Sequence, residues 1–197
     1  MEAELILTIK NRTKAIPYIP ERRGDGTVNY GFRVLKGRLD QVSAIPEVQD
    51  SEALQYALEK INAEATAFFT VGCEKDLNAA PEGFWARGYI EFAFNASIAA
   101  SDADRYFRLF FQFSQHVQHA WLDLPVQYQF ELEGAEFHDV RDAASRGFTV
   151  AVWITTLSFP DGAQAMNVWN RAVVYLADFL SSFERGPMPV LYGPSPS

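Results

Sequence analysis

Apolar side chains recur every three or four positions in three stretches of the chain, which is the spacing of a helix with one buried face. The first helix is predicted to begin at Asp50 or Ser51, the second at Ser101 and the third at Asp161, because each of these side chains can cap a helix. Pro125 is predicted to stop the second helix. The third is predicted to end before residue 186.

Between the helices, alternation of apolar and polar residues predicts six strands. They cover residues 3–9, 28–34, 67–73, 84–94, 126–133 and 148–154. The alternation is cleanest from Val126 to Glu133, where aliphatic and aromatic residues exchange with Gln and Glu at every step. A strand of this kind has one buried and one hydrated face.

The order strand–strand–helix therefore occurs three times, which predicts an α+β fold. We expect a mainly antiparallel six-stranded sheet with three helices on one face. An alternative begins at Phe84 and treats the second half as a ferredoxin-like unit, and the sequence leaves the choice of strand order open. Residues 1–185 are predicted to form a single domain. Residues 186–197 contain four prolines and no charge, so we expect an extended or disordered tail.

Charge and cysteine content narrow the class of protein. The net charge of −8 disfavours nucleic acid as a partner, since that affinity depends on cationic contacts. Cys73 is the only cysteine, so no disulfide can form within the chain, and its apolar surroundings predict a structural thiol. Neither a signal peptide nor a membrane span is visible. We expect a cytoplasmic location.

No signature of catalysis is present. The glycine-rich nucleotide motifs and the GxSxG nucleophile motif are missing, and no cofactor is predicted. His116 and His119, three residues apart on the second helix, could ligate a metal together with Asp123. A hydrated helix surface explains the same pattern, and the sequence favours that explanation.

Two features point instead to a protein partner. Five carboxylates lie within twelve residues: Glu131, Glu133, Glu136, Asp139 and Asp142. They form either a hydrated edge of the sheet or an acidic surface that meets a basic partner, which we call the acidic lip. If the helices cover one face of the sheet, the strands also place large rings among polar and charged groups on the other face. Trp, Tyr and Arg concentrate binding energy in protein interfaces.

The sequence thus predicts a non-enzymatic protein-binding protein, most concretely an acidic inhibitor or immunity-type protein that blocks a more basic protein. The predicted partner-binding residues are Trp85, Arg87, Tyr89, Glu91, Gln127, Gln129, Glu131, Glu133, Asp139 and Trp153. Two alternatives remain open. One is a small-molecule-binding protein or metal-dependent enzyme that uses His116, His119 and Asp123, and the other is a structural homodimer with the sheet face as its seam.

Overall fold

The computed structural model describes residues 3–22, 24, 26, 28–119, 124–138 and 144–183. It contains the strands β1 (Glu4–Ile16), β2 (Glu21–Arg22), β3 (Val28–Asn29), β4 (Phe68–Ala80), β5 (Gly83–Phe94), β6 (Val126–His138) and β7 (Ala144–Thr156). The α-helices are α1 (Glu52–Asn62), α2 (Ser97–Ala100), α3 (Ala103–His119) and α4 (Gly162–Ser181). Two short 3-10 helices cover Leu39–Ala44 and Pro46–Val48. The predicted tail, residues 186–197, lies outside the described residues.

The protein is α+β, with a five-stranded sheet in the order β1-β6-β7-β5-β4. β1 runs parallel to β6, and the other neighbours are antiparallel. The sheet is therefore mixed, with three antiparallel pairings and one parallel pairing, and the prediction of six strands in it is wrong. The alternative ferredoxin-like unit would begin at β5. In the structure, β7 lies between β5 and β6, and β4 pairs with the other edge of β5.

The missing sixth strand is the one predicted over residues 28–34. Within this range only Val28–Asn29 (β3) forms a strand, and it pairs with β2 in a separate two-stranded sheet. The chain turns after it, because Gly31 adopts a φ of 81° and donates its N–H to Asn29 Oδ1 at 2.9 Å. Phe32 then packs edge-on against Tyr18 and Phe69, which explains the apolar alternation without a strand.

Two of the three predicted helix starts are confirmed. Ser51 Oγ accepts a hydrogen bond from the Leu54 N–H, and Asp161 Oδ1 accepts one from the Gln164 N–H at 2.8 Å. The prediction of Ser101 as the N-cap is wrong. The short helix α2 occupies the preceding turn, and Asp102 Oδ1 accepts from the Asp104 N–H at the start of α3.

The helix layer covers one face of the sheet. Trp169 of α4 is fully buried and donates its indole N–H to the Ile154 carbonyl at 3.2 Å. Gly88 makes this approach possible, since a Cβ there would lie 2.7 Å from the Trp169 ring. From α3, Phe113 packs edge-on against Tyr128, and α1 packs on α4. No helix in the described part of the chain is long and apolar enough to span a bilayer.

A buried lysine holds the segment between β1 and α1 against the start of β4. Lys36 is 1% exposed, and its ammonium donates to the carbonyls of Ala63, Thr66 and Phe68 at 2.7–2.8 Å and to Thr66 Oγ1 at 2.6 Å. These acceptors lie in the connection from α1 to β4. Lys36 therefore holds the long segment against the start of β4.

Replacing Lys36 with methionine keeps the apolar stem but removes the ammonium. We expect Lys36→Met to lower the free energy of unfolding by about 2–4 kcal/mol, because several buried carbonyls lose their donor. Urea denaturation followed by circular dichroism measures the change. Lys60→Met, at an exposed position on α1, is the matched control and should change it by less than about 0.5 kcal/mol. Equal effects of the two variants would contradict the role assigned to Lys36.

Candidate functional site

The sheet face opposite the helix layer gathers the predicted partner-binding residues. The register places Tyr89 opposite Trp153, Trp153 opposite Gln129, and Arg87 opposite Thr155. We call this surface the open face. Its members are Trp85, Arg87, Tyr89, Glu91, Gln127, Gln129, Glu131, Glu133, Thr149, Ala151, Trp153 and Thr155. Of the predicted set, only Asp139 lies outside the described residues.

Exposure varies across the open face. Arg87 is exposed, whereas Trp85, Tyr89 and Trp153 are half-buried. Glu91, Glu133 and Thr149 are buried, at the end of the face where β1 turns into the segment that carries Tyr18 and Phe32. The face is thus accessible around Arg87 and closes toward Glu91.

A stacked cluster of side chains marks the accessible part, and we call it the ring cluster: Arg87, Tyr89 and Trp153. The rings of Tyr89 and Trp153 have centroids 4.6 Å apart at an angle of 48°. The Arg87 guanidinium carbon lies 4.3 Å from the centroid of the Trp153 ring, within the range of a cation–π contact. Trp153 also donates its indole N–H to Glu131 Oε2 at 2.9 Å. Contacts on both sides therefore fix the indole in one orientation.

Beside the ring cluster, three carboxylates of the open face pair with three cations of β1. We call this the ionic network. Lys10 Nζ lies 2.6 Å from Glu131 Oε2, and Arg12 donates to both oxygens of Glu133 at 2.7 and 3.3 Å. Lys14 pairs with Glu91 and lies 3.6 Å from Glu133. The hydrogen bond to Glu133 raises the pKa of Arg12 above its ordinary value, and the Glu133 charge adds to the shift.

The network depends on an irregularity in β1. The pairing with β6 breaks between Lys10 and Thr13, so residues 11 and 12 are extra on the β1 side. Sequence reasoning missed Lys10, Arg12 and Lys14 because it ended the first strand at residue 9. Cations at alternate positions after an alternating apolar stretch were the signal available.

The acidic run has a different character from the predicted acidic lip. Glu131 and Glu133 are neutralised within the chain, and Glu136 lies 3.3 Å from Arg146. All three belong to β6, which continues to His138, beyond the predicted end of this strand at residue 133. Asp139 and Asp142 lie outside the described residues. That these carboxylates attract a basic partner stays a prediction.

A cavity lies next to the open face and shares Tyr89 with it. Its volume is about 330 Å³, and it lies between β4 and the segment that contains Tyr18 and Tyr30. Cys73 lines it, and burial raises the pKa of this thiol to about 12, with the charges of Glu47 and Glu74 adding to the effect. The thiol is therefore protonated at neutral pH and is a poor nucleophile.

The histidine pair stands apart from both features. The His116 ring stacks on Tyr175 with centroids 5.0 Å apart, and His119 Nδ1 lies 2.6 Å from the Gln115 carbonyl oxygen, to which it donates. Asp123 lies outside the described residues. Among the residues that are described, no three His, Cys, Asp or Glu side chains are grouped as a metal site requires.

Comparison with protein-family models, with curated proteins and with solved structures found no match to this chain.

Removing Glu133 should leave Arg12 and Lys14 without their shared carboxylate. We expect Glu133→Ala to lower the free energy of unfolding by about 1–2 kcal/mol. The effect exceeds that of a surface ion pair because the Glu133 side chain is only 8% exposed, and it is limited because the Arg12 side chain is 66% exposed. Glu136→Ala is the control on the same strand, since its partner Arg146 is 88% exposed, and it should cost less than about 0.5 kcal/mol. Urea denaturation compares the two, and an equal loss would show that the network adds nothing beyond a surface ion pair.

The raised pKa of Cys73 predicts slow alkylation in the folded protein. At pH 8 a pKa of about 12, compared with an ordinary value of 9.0, lowers the thiolate fraction about 1,000-fold. A more basic thiolate is also more nucleophilic, which offsets part of this loss. Iodoacetamide labelling followed by mass spectrometry should therefore be at least about tenfold slower in buffer than in urea. Glutathione in both solvents controls for the effect of urea on the reagent. Similar rates for folded and unfolded protein would contradict the burial of the thiol.

Proposed function

We propose that this protein is a non-enzymatic binding protein that docks a protein partner on its open face, with the ring cluster at the centre of the contact. The observation that carries the proposal is the stack of Arg87, Trp153 and Tyr89 on the accessible part of the sheet face opposite α1, α3 and α4. An inhibitor or immunity-type protein is its most concrete form. The proposed location is the cytoplasm.

The chemistry of the ring cluster suits an interface. Trp, Tyr and Arg are the residue types that carry most of the binding energy in protein complexes. Here the Trp153 indole is held between the Arg87 guanidinium and the Glu131 carboxylate, so little side-chain freedom remains to be lost on binding. Gln127 and Gln129 lie nearby on β6, half-buried, and offer hydrogen-bonding groups around the rings.

The proposed partner is basic, although the ionic network changes the source of the attraction. Glu131 and Glu133 are occupied by Lys10, Arg12 and Lys14, so they contribute little field of their own. The net charge of −8 nevertheless accelerates encounter with a cationic protein. Asp76 is exposed and faces Arg87 across the β4–β5 pair, which places a carboxylate at the border of the ring cluster.

A crosslinking experiment tests the docking surface. A photoreactive benzoyl-phenylalanine replaces Thr155, which lies opposite Arg87 on the open face, and in a separate protein it replaces Arg171, which is exposed on α4 in the helix layer. In extract of the native host, we expect position 155 to form an adduct with one distinct polypeptide and position 171 to form none. An adduct of the chain with itself would indicate the homodimer alternative instead.

The ring cluster must also determine affinity for the captured polypeptide. We expect Trp153→Ala and Arg87→Ala each to weaken binding to the purified polypeptide by tenfold or more, about 1.4 kcal/mol, because both are at the centre of the proposed contact. Arg171→Ala removes the same charge from the helix side and should leave affinity unchanged. Isothermal titration calorimetry measures all three. Retention of full affinity by both open-face variants would rule out the open face as the docking surface.

A further inference from the structure

The outer edge of β1 has no strand beside it in the described part of the chain. β1 is the first strand of the sheet and pairs only with β6. From Glu4 to Lys10 the pairing is regular, so the backbone groups on the far side form a continuous row of donors and acceptors that no described residue pairs with. Such a row is a template for another strand.

The other edge of the sheet, β4, is treated differently. The Phe68 carbonyl accepts from Lys36 Nζ at 2.8 Å, and the Val71 carbonyl accepts from the Tyr18 hydroxyl at 2.9 Å. A register break between Thr70 and Gly72 adds a bulge. On β1 the corresponding bulge begins only after Lys10. The stretch Glu4–Lys10 is therefore the flat, unprotected edge.

We propose that two copies of this chain associate through this stretch, as antiparallel strands that continue the sheet from five strands to ten. The argument is the self-complementarity of the sequence about Leu7. In the register that places Leu7 opposite Leu7, Glu4 of one copy faces Lys10 of the other, and the symmetry makes this pair twice.

The same register matches the apolar positions. Ile9 is 67% exposed, and it would face Leu5 of the other copy. Centring the pairing on Ile6 would place Glu4 opposite Thr8, and Lys10 would face Glu2, which precedes the strand. Centring it on Thr8 would place Lys10 opposite Ile6, and Glu4 would face Arg12, which lies in the bulge and already pairs with Glu133. Only the Leu7 register places both charged residues of the regular stretch opposite each other. Charge complementarity therefore selects one register and one partner, a second copy of the chain.

Antiparallel pairing also determines how the two copies are oriented. Opposed residues in an antiparallel pair share a face of the sheet, so Glu4 and Lys10 lie on the open-face side of both copies. Both helix layers then lie on the other side, and the two open faces join into one surface. This association leaves the ring cluster uncovered, so it is independent of the proposed docking function.

Charge reversal tests the register directly. In Glu4→Lys, positions 4 and 10 are both cationic, and in Lys10→Glu both are anionic. We expect each variant alone to dimerise at least about tenfold more weakly than the original chain, because two attractions become repulsions. An equimolar mixture of the two should recover association as a heterodimer, since every cation then faces an anion. Sedimentation equilibrium over a range of concentrations measures both effects.

The mixture also controls for damage within each chain. Lys10→Glu loses the pair with Glu131, and Glu4→Lys loses the hydrogen bond from Gln127, but neither loss is repaired by mixing. Lys75→Glu on β4 is the control at the opposite edge and should leave association unchanged. A strict monomer at all concentrations, or a mixture no more associated than its components, would overturn the proposal.

Disulfide trapping gives a second readout. In a Cys73→Ser background, Leu7→Cys places the two thiols opposite each other, so mild oxidation should give a covalent dimer. Ile9→Cys places its thiols four positions apart along the strand, about 13 Å, and should not crosslink. Crosslinking of Ile9→Cys but not of Leu7→Cys would exclude this register, and association insensitive to both charge variants would place the contact elsewhere, including the open face.

Discussion

The constraint behind the rest of this structure is that α1, α3 and α4 all pack on one side of the sheet. The opposite side must then be compatible with water, although the same strands carry a large apolar core on their helix side. The chain meets this requirement with half-buried rings and with charges that are paired before any partner arrives. Trp153 stacks under Arg87 and donates a hydrogen bond to Glu131, so even an indole ring on the open face is held by charged neighbours.

The ionic network shows why β1 belongs beside β6. Glu131 and Glu133 lie two positions apart on one face, and Glu91 lies on the same face of β5, so the three carboxylates would repel one another without counter-charges. A parallel strand with Lys10, Arg12 and Lys14 supplies them at the positions required. The bulge after Lys10 is the adjustment that brings Arg12 onto Glu133.

Local signals were enough to predict the helix starts at Ser51 and Asp161 and the two faces of β6, because capping and alternation depend on near neighbours. The same alternation gathered Trp85, Tyr89 and Trp153 on one face once the helices were assigned to the other. The position of β1 was not predictable in this way, since its parallel pairing depends on residues far along the chain. The prediction of a strand over residues 28–34 was wrong because Phe32 packs against the rings of Tyr18 and Phe69 instead of belonging to a strand.

The pairing of β1 with β6 has a consequence for how the chain folds. Glu4 and its hydrogen-bonding partner Gln127 are 123 residues apart, so β1 must wait for β6, which is synthesised long after it. Contacts of such long sequence separation slow folding, because the closing of a long loop precedes any gain from the contact. During synthesis the apolar residues of β1 have no sheet to join, and the nascent chain is vulnerable to misassembly until β6 emerges.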